Sequence, residues 1–291
     1  MLATVLALSG CGLAEKAGES PVLQAAGIVP DQPCTITPIE SRRLAGLYLR
    51  KVNAAEGFDL IYLTGALRKT GLPRTIRIDD RRVRSVKPAG KGGLSGTRQA
   101  RAEPIALFAA DGLPAAYRLS YSAKDVAYGG PMVIGRSPAA EDVPSAGDSR
   151  YAGLVELEFA RPGTDAAPAT TRAIGRFSLN VGHGSGTADL RVSELVTLSG
   201  PPLGFSGLAW SRLGLCGARV ASTGRGAVRL IGPDGAGSIP FQQGRGAAPF
   251  RAELDSVQFG AAERPGPPEK LGGVLLIAGD GGTITASFLS R

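Results

Sequence analysis

The chain has one histidine, His183, one tryptophan, Trp210, and three cysteines in 291 residues. Haem held between two histidines is excluded by that count. Aromatic residues make up 5% of the chain, and they do not interleave with its basic stretch. Single-stranded nucleic acid is gripped by aromatic platforms set among cations, so no nucleic-acid partner is expected despite a net charge of +8. The charge is also local. Residues 68–101 hold eleven Lys or Arg against Asp79 and Asp80, while the rest of the chain holds 22 basic and 23 acidic residues. One segment carries the whole excess, and it suits acidic partners or anionic headgroups. Asp79 and Asp80 offer too few oxygens for Ca²⁺, which takes roughly six to eight, and Arg81 and Arg82 beside them repel a cation.

Signatures of catalysis are missing as well. Gly182-His183-Gly184-Ser185-Gly186 comes nearest, but a nucleophile elbow needs Gly-x-Ser-x-Gly at a strand-to-helix turn. His183 stands where the first glycine belongs, and no helix pattern follows. An exposed turn, its glycines free to take positive φ, is expected there. Lys91-Gly92-Gly93 lacks the spacing of a phosphate-binding loop. No enzyme, metal or cofactor is expected.

Glycine, by contrast, is abundant: 42 residues, about twice the usual share of ~7%. It comes in short clusters between alternating segments, as frequent tight turns require. At the N-terminus, Leu2–Leu8 is an apolar run too short to span a bilayer, which takes ~20 residues, but long enough for the core of a secretory signal. Leu8-Ser9-Gly10-Cys11 follows. Small residues before a cut and a thiol directly after it resemble the lipobox of bacterial lipoproteins, which implies acylation of Cys11. No Lys or Arg precedes the run, so the signal is expected to be shortened at its start. Gly12, rather than Asp, fits retention at the outer membrane, with the periplasmic or the outer face left open. With Cys11 acylated, Cys34 and Cys216 remain. They either pair, closing a loop of ~180 residues worth ~4–5 kcal/mol, or stand as separate thiols; with His183 alone beside them they are too few for a four-ligand zinc site.

Along the chain, residues 1–10 read as the signal segment and 11–37 as a tether. Residues 38–148 read as a smaller β-rich, handle-like domain carrying the basic segment 68–101. Ile39, Leu44, Leu47 and Tyr48 fall loosely on one helical face, so a short helix is expected over 38–52. The glycine-rich stretch 87–95 reads as a loop. From Tyr151 the two-residue period is clean. Tyr151, Gly153, Val155, Leu157 and Phe159 share a face opposite Glu156 and Glu158. Ala173, Gly175, Phe177, Leu179 and Val181 face away from Arg172, Arg176, Ser178 and Asn180. Ala188, Leu190 and Val192 continue the pattern, as do Phe250–Leu254 and Ile284–Phe288. Asp280-Gly281-Gly282 is hairpin chemistry. The fold class is therefore all-β: residues 149–291 form an up-and-down barrel of about eight antiparallel strands, which removes open edges. Charged residues at mid-strand on the polar face would be penalised by lipid, so a soluble barrel is expected, with Trp210 packed in it or at its rim.

Several segments of this half carry a likeness to known proteins. They are Tyr151-Ala152-Gly153, Phe177–Asn180, the turn 182–186 with Thr187–Val192, Glu269-Lys270-Leu271-Gly272-Gly273-Val274, Gly279–Ile284 and Phe288. Together they resemble the barrel domain of transferrin-binding-protein-B-like surface lipoproteins over about residues 149–291. Phe259-Gly260-Ala261-Ala262 and the Pro-rich 265–268 depart from the family's usual motif. The resemblance implies a non-catalytic binding lipoprotein for a protein or small solute, of the kind linked to iron-type nutrient acquisition. The alternative is a structural envelope lipoprotein without a dissociable ligand. No binding residue carries over. The charge distribution alone points to Arg81, Arg82 and Arg84 as the binding candidates.

Overall fold

The computed structural model describes residues 43–52, 57–67, 73–78, 84–88, 94–96, 101–108, 112–123, 126–161, 169–222, 227–233, 251–260, 266–279 and 281–291. The signal segment, the tether, Cys11, Cys34, Arg81 and Arg82 lie outside these residues. Among the described residues seventeen strands follow in order. The first eight are β1 (Arg43–Val52), β2 (Gly57–Leu67), β3 (Pro73–Ile78), β4 (Arg84–Pro88), β5 (Leu94–Gly96), β6 (Arg101–Pro104), β7 (Ala115–Ala123) and β8 (Val126–Arg136). The others are β9 (Asp148–Ala160), β10 (Thr170–Gly182), β11 (Thr187–Ser199), β12 (Gly207–Cys216), β13 (Arg219–Ala221), β14 (Ala227–Ile231), β15 (Arg251–Phe259), β16 (Lys270–Gly279) and β17 (Gly282–Ser290).

Strands β1 to β8 run as a meander and close through β1 pairing with β8. The expected handle is thus itself a small closed barrel. The second sheet runs β11-β10-β9-β17-β16-β15-β13-β12-β14, and β11 also pairs with β12, which closes the ring. Strands β13 and β14 lie in tandem along one edge of β12. They occupy a single place, so the second barrel has eight positions, as its alternation implied.

Two expectations fail in the first barrel. Residues 43–52 form strand β1, not helix, and the two ends of the expected loop 87–95, residues 87–88 and 94–95, belong to the paired strands β4 and β5. The first failure has a physical cause. Tyr48 points into the first barrel, among Leu63, Tyr117, Leu119 and Met132. Ala45, Leu47 and Leu49 point out of it and are equally buried. A strand covered on both faces loses its polar alternation, and its apolar spacing then mimics a helix.

What covers the outer face of β1 is the second barrel. Ala45, Leu47, Leu49 and Val133 pack against Val257, Phe259, Val274, Leu276 and Leu289 in one apolar cluster. The ring of Phe259, 0% exposed, lies between two glycines. A β-carbon on Gly135 of β8 would come within 2.3 Å of the ring, and one on Gly272 of β16 within 3.0 Å. Each barrel also has its own core. Phe177 meets Phe288 at 5.0 Å between ring centroids, and Trp210 is buried inside the second barrel.

Candidate functional site

At the rim of the seam between the barrels stands Glu156 of β9, 6% exposed. Alternation placed it on a solvated face. Instead it accepts hydrogen bonds from Arg118 of β7 and, at 2.6 Å, from Arg172 of β10. Arg118 comes from the first barrel, so the pair ties one barrel to the other. Asp255 of β15, also buried, is held by Arg219. Both carboxylates are committed to ion pairs.

His183 departs from its expected place too. It sits in the β10–β11 turn, yet it is 7% exposed rather than on the surface. Its backbone N–H donates to the Gly147 carbonyl at 2.9 Å, and its ring Nε2 lies 2.8 Å from Ser149 Oγ. Ring Nδ1 is buried with no hydrogen-bond partner. Burial holds the imidazole below its ordinary pKa, against opposing pulls from the Asp148 charge and the Pro144 carbonyl. Beyond Ser149 the polar chain continues to Tyr151, whose hydroxyl is within 3.1 Å of Gln258 Oε1 and of the Pro268 carbonyl. Ser185, the residue the nucleophile reading needed, bonds instead to Gly182 and Thr187 within its own turn. The pairing of Ser149 with His183 joins two strands and leaves no trace in local spacing. Their shared inward parity at the ends of β9 and β10 was the one signal available.

The third feature is an edge. Strand β11 pairs with β10 as far as Ser199, but with β12 only as far as Val192. Register shifts interrupt the β10–β11 ladder on either side of Ile174, and Glu194 there has φ 54°. Such bulges turn a strand and re-aim its side chains. Past the bulge Leu195 still packs against the core. Val196 and Leu198, however, are 58% and 55% exposed, the exposed large hydrophobics among the described residues. Beyond Val192, among the described residues, the outer edge of β11 has no partner strand. The chain then doubles back through Pro201 and Pro202, whose carbonyls accept from Thr171 and Arg161. It puts Leu203 and Phe205 into the end of the second barrel.

Of the residues named from sequence, Arg84 is described in its backbone alone, in β4 opposite Ile78. Arg81 and Arg82 lie outside the described residues. Cys216, at the end of β12, is disulfide-bonded, and the two other cysteines of the chain lie outside the described residues. Among those residues no group of three or more His, Cys, Asp or Glu is placed to hold a metal ion.

The chain matches no family model and no curated protein. Solved structures do match it. The intact two-lobed structure of Ap-TbpB aligns at 10% identity and a TM-score of 0.43, covering 89% of this chain and 47% of that one. A mutant of transferrin-binding protein B from Haemophilus parasuis Hp5 aligns at 10% identity and a TM-score of 0.44, covering 85% and 45%. The isotype 1 protein from serogroup B Neisseria meningitidis aligns at 10% and 0.39, covering 85% and 43%. The chain thus spans less than half the length of each. The structures that align bear the name of the family whose barrel domain the motifs of residues 149–291 resemble.

Proposed function

We propose that the chain is a non-catalytic binding module for a protein partner, anchored to the outer membrane through lipid on Cys11. The outer edge of β11 past Val192, without a partner strand among the described residues and with Val196 and Leu198 exposed, carries this reading. An edge strand presents unpaired N–H and C=O groups, a template for another chain, and an exposed apolar pair beside it adds area to be buried. A small solute held inside a barrel fits less well, because side chains such as Phe177, Trp210 and Phe288 fill the second barrel and Tyr48, Tyr117 and Met132 the first. The basic segment 68–101, with Arg81, Arg82 and Arg84, would speed encounter with an acidic partner. Iron-type nutrient acquisition is the finer form of this reading and follows from the motif resemblance. If Cys11 carries lipid, Cys34 is the cysteine left to bond Cys216.

Partner capture from growth medium and envelope extract tests the proposal. The native chain is compared with Val196→Ser/Leu198→Ser and with Arg81→Gln/Arg82→Gln/Arg84→Gln. The first variant should lower retention of the captured protein about tenfold. The second should weaken it at low salt and less at high salt, since exposed charges are screened beyond ~8–10 Å at 0.1–0.15 M. A protein retained equally by all three would rule out both the β11 edge and the basic segment, and capture of no protein at all would return the reading to a structural envelope lipoprotein. Cys11→Ser should move the protein from the membrane to the soluble fraction.

A further inference from the structure

His183 is the one histidine of the chain, it is buried, and nothing in the binding reading uses it. Its contacts reach beyond its own turn. The backbone N–H holds Gly147 and the ring holds Ser149, and both residues belong to the stretch where the chain passes from the first barrel into β9. Ser149 adjoins Tyr151, and the Tyr151 hydroxyl reaches Gln258 and the Pro268 carbonyl before β16. His183 therefore ties the inter-barrel passage to the β10–β11 turn, its ring through Ser149, and Ser149 leads through Tyr151 to the approach to β16.

We propose that His183 is an acid-sensitive clasp, which holds the inter-barrel passage to the β10–β11 turn while neutral and releases it on protonation. In the neutral ring one nitrogen donates and the other accepts. In the tautomer with its proton on Nδ1, Nε2 accepts the Ser149 hydroxyl proton across 2.8 Å. A proton added at Nε2 removes that acceptor, so Ser149 can no longer donate to it. The new charge is also buried, with Asp148 as the acidic group that reaches it. Desolvation outweighs that attraction, which holds the folded-state pKa below 6.5. An unfolded histidine takes up its proton near ~6.5. As pH falls below that value the unfolded chain binds more protons, so stability present above it is lost through the folded-state midpoint. The surrounding elements also carry Glu141, Asp142, Arg150, Asp189 and Arg191, so the test must separate their charges from the ring.

The single imidazole makes that separation direct. Nitrogen-detected NMR of the full chain should show one histidine titrating with a midpoint below 6.5. Over the same interval, amide exchange should rise at 145–149 and 182–186 while that of β1 and β8 holds steady. His183→Asn keeps every neighbouring charge and cannot titrate, so the exchange step should vanish. Ser149→Ala removes the donor that favours the neutral ring and should raise the midpoint. A midpoint at or above 6.5, or an exchange step that persists in His183→Asn, overturns the proposal. So does an unchanged midpoint in Ser149→Ala, a measurement that stands even where the asparagine variant does not fold.

Discussion

Phe259 and Gly135 belong to different barrels and meet across the seam, so a double-mutant cycle between them tests whether the seam is a packed core. Phe259→Ala removes a fully buried ring, a change that costs about 3–5 kcal/mol. Gly135→Ala acts the other way. Its new methyl would stand 2.3–2.7 Å from three atoms of that ring, and Gly272 on the far side leaves the ring little room to retreat. Overpacking of this kind costs about 1–3 kcal/mol. In the double variant the ring is gone and the methyl enters the vacated space. The pair should therefore cost about what Phe259→Ala costs alone, giving a coupling of at least ~1 kcal/mol. Urea unfolding followed both by fluorescence of Trp210, inside the second barrel, and by far-UV circular dichroism measures it. The two probes should coincide if the barrels unfold together. Additivity within about 0.5 kcal/mol, the mark of independent sites, would refute the packed seam.

Inside the second barrel, Phe177→Ala should cost about 3–5 kcal/mol. Arg176→Ala, whose pair with Glu194 is well exposed, should cost no more than about 1 kcal/mol, and equal losses in urea would contradict the inward parity of β10. Residues 149–291 produced alone should keep strand signal yet associate, because Val257, Phe259, Val274, Leu276 and Leu289 lose their cover; light scattering that shows a monomer at micromolar concentration would count against it. Glu156→Ala should cost about 1–2 kcal/mol, discounted for arginines 40% and 44% exposed, and unchanged stability would mean that Arg118 and Arg172 are as well served by water.

Strands with one wet face were legible in the sequence. The alternation from Tyr151 to Val192 recurs in the buried and exposed residues of β9, β10 and the first half of β11. Strands with two covered faces were not. β1 read as helix for that reason, and Val274-Leu275-Leu276-Ile277 is the same effect in β16, where Leu275 and Ile277 face the barrel and Val274 and Leu276 the seam. That apolar run was the visible sign that the second barrel has a second buried side. Glu156 and His183 were misplaced because their partners, Arg118 and Ser149, lie far off in the chain and no local period encodes them. The β11 edge was hidden for another reason: residues up to Ser199 look paired until the register on β12 is known.

The closure of both rings has a consequence for how the chain is made. Strand β9 finds β10 at once, but its other edge is completed by β17, so it stays open until nearly the whole second barrel has been synthesised. β1 waits in the same way for β8. The seam adds a further delay, since the outer face of β1 is covered by β15 and β16, made long after it. Contacts so distant in sequence form slowly, and edges left open meanwhile recruit foreign strands. A chain emerging from a ribosome or a translocation pore would pass through a long interval in which β1 and β9 are exposed, and its yield would depend on whatever shields them until the two rings shut.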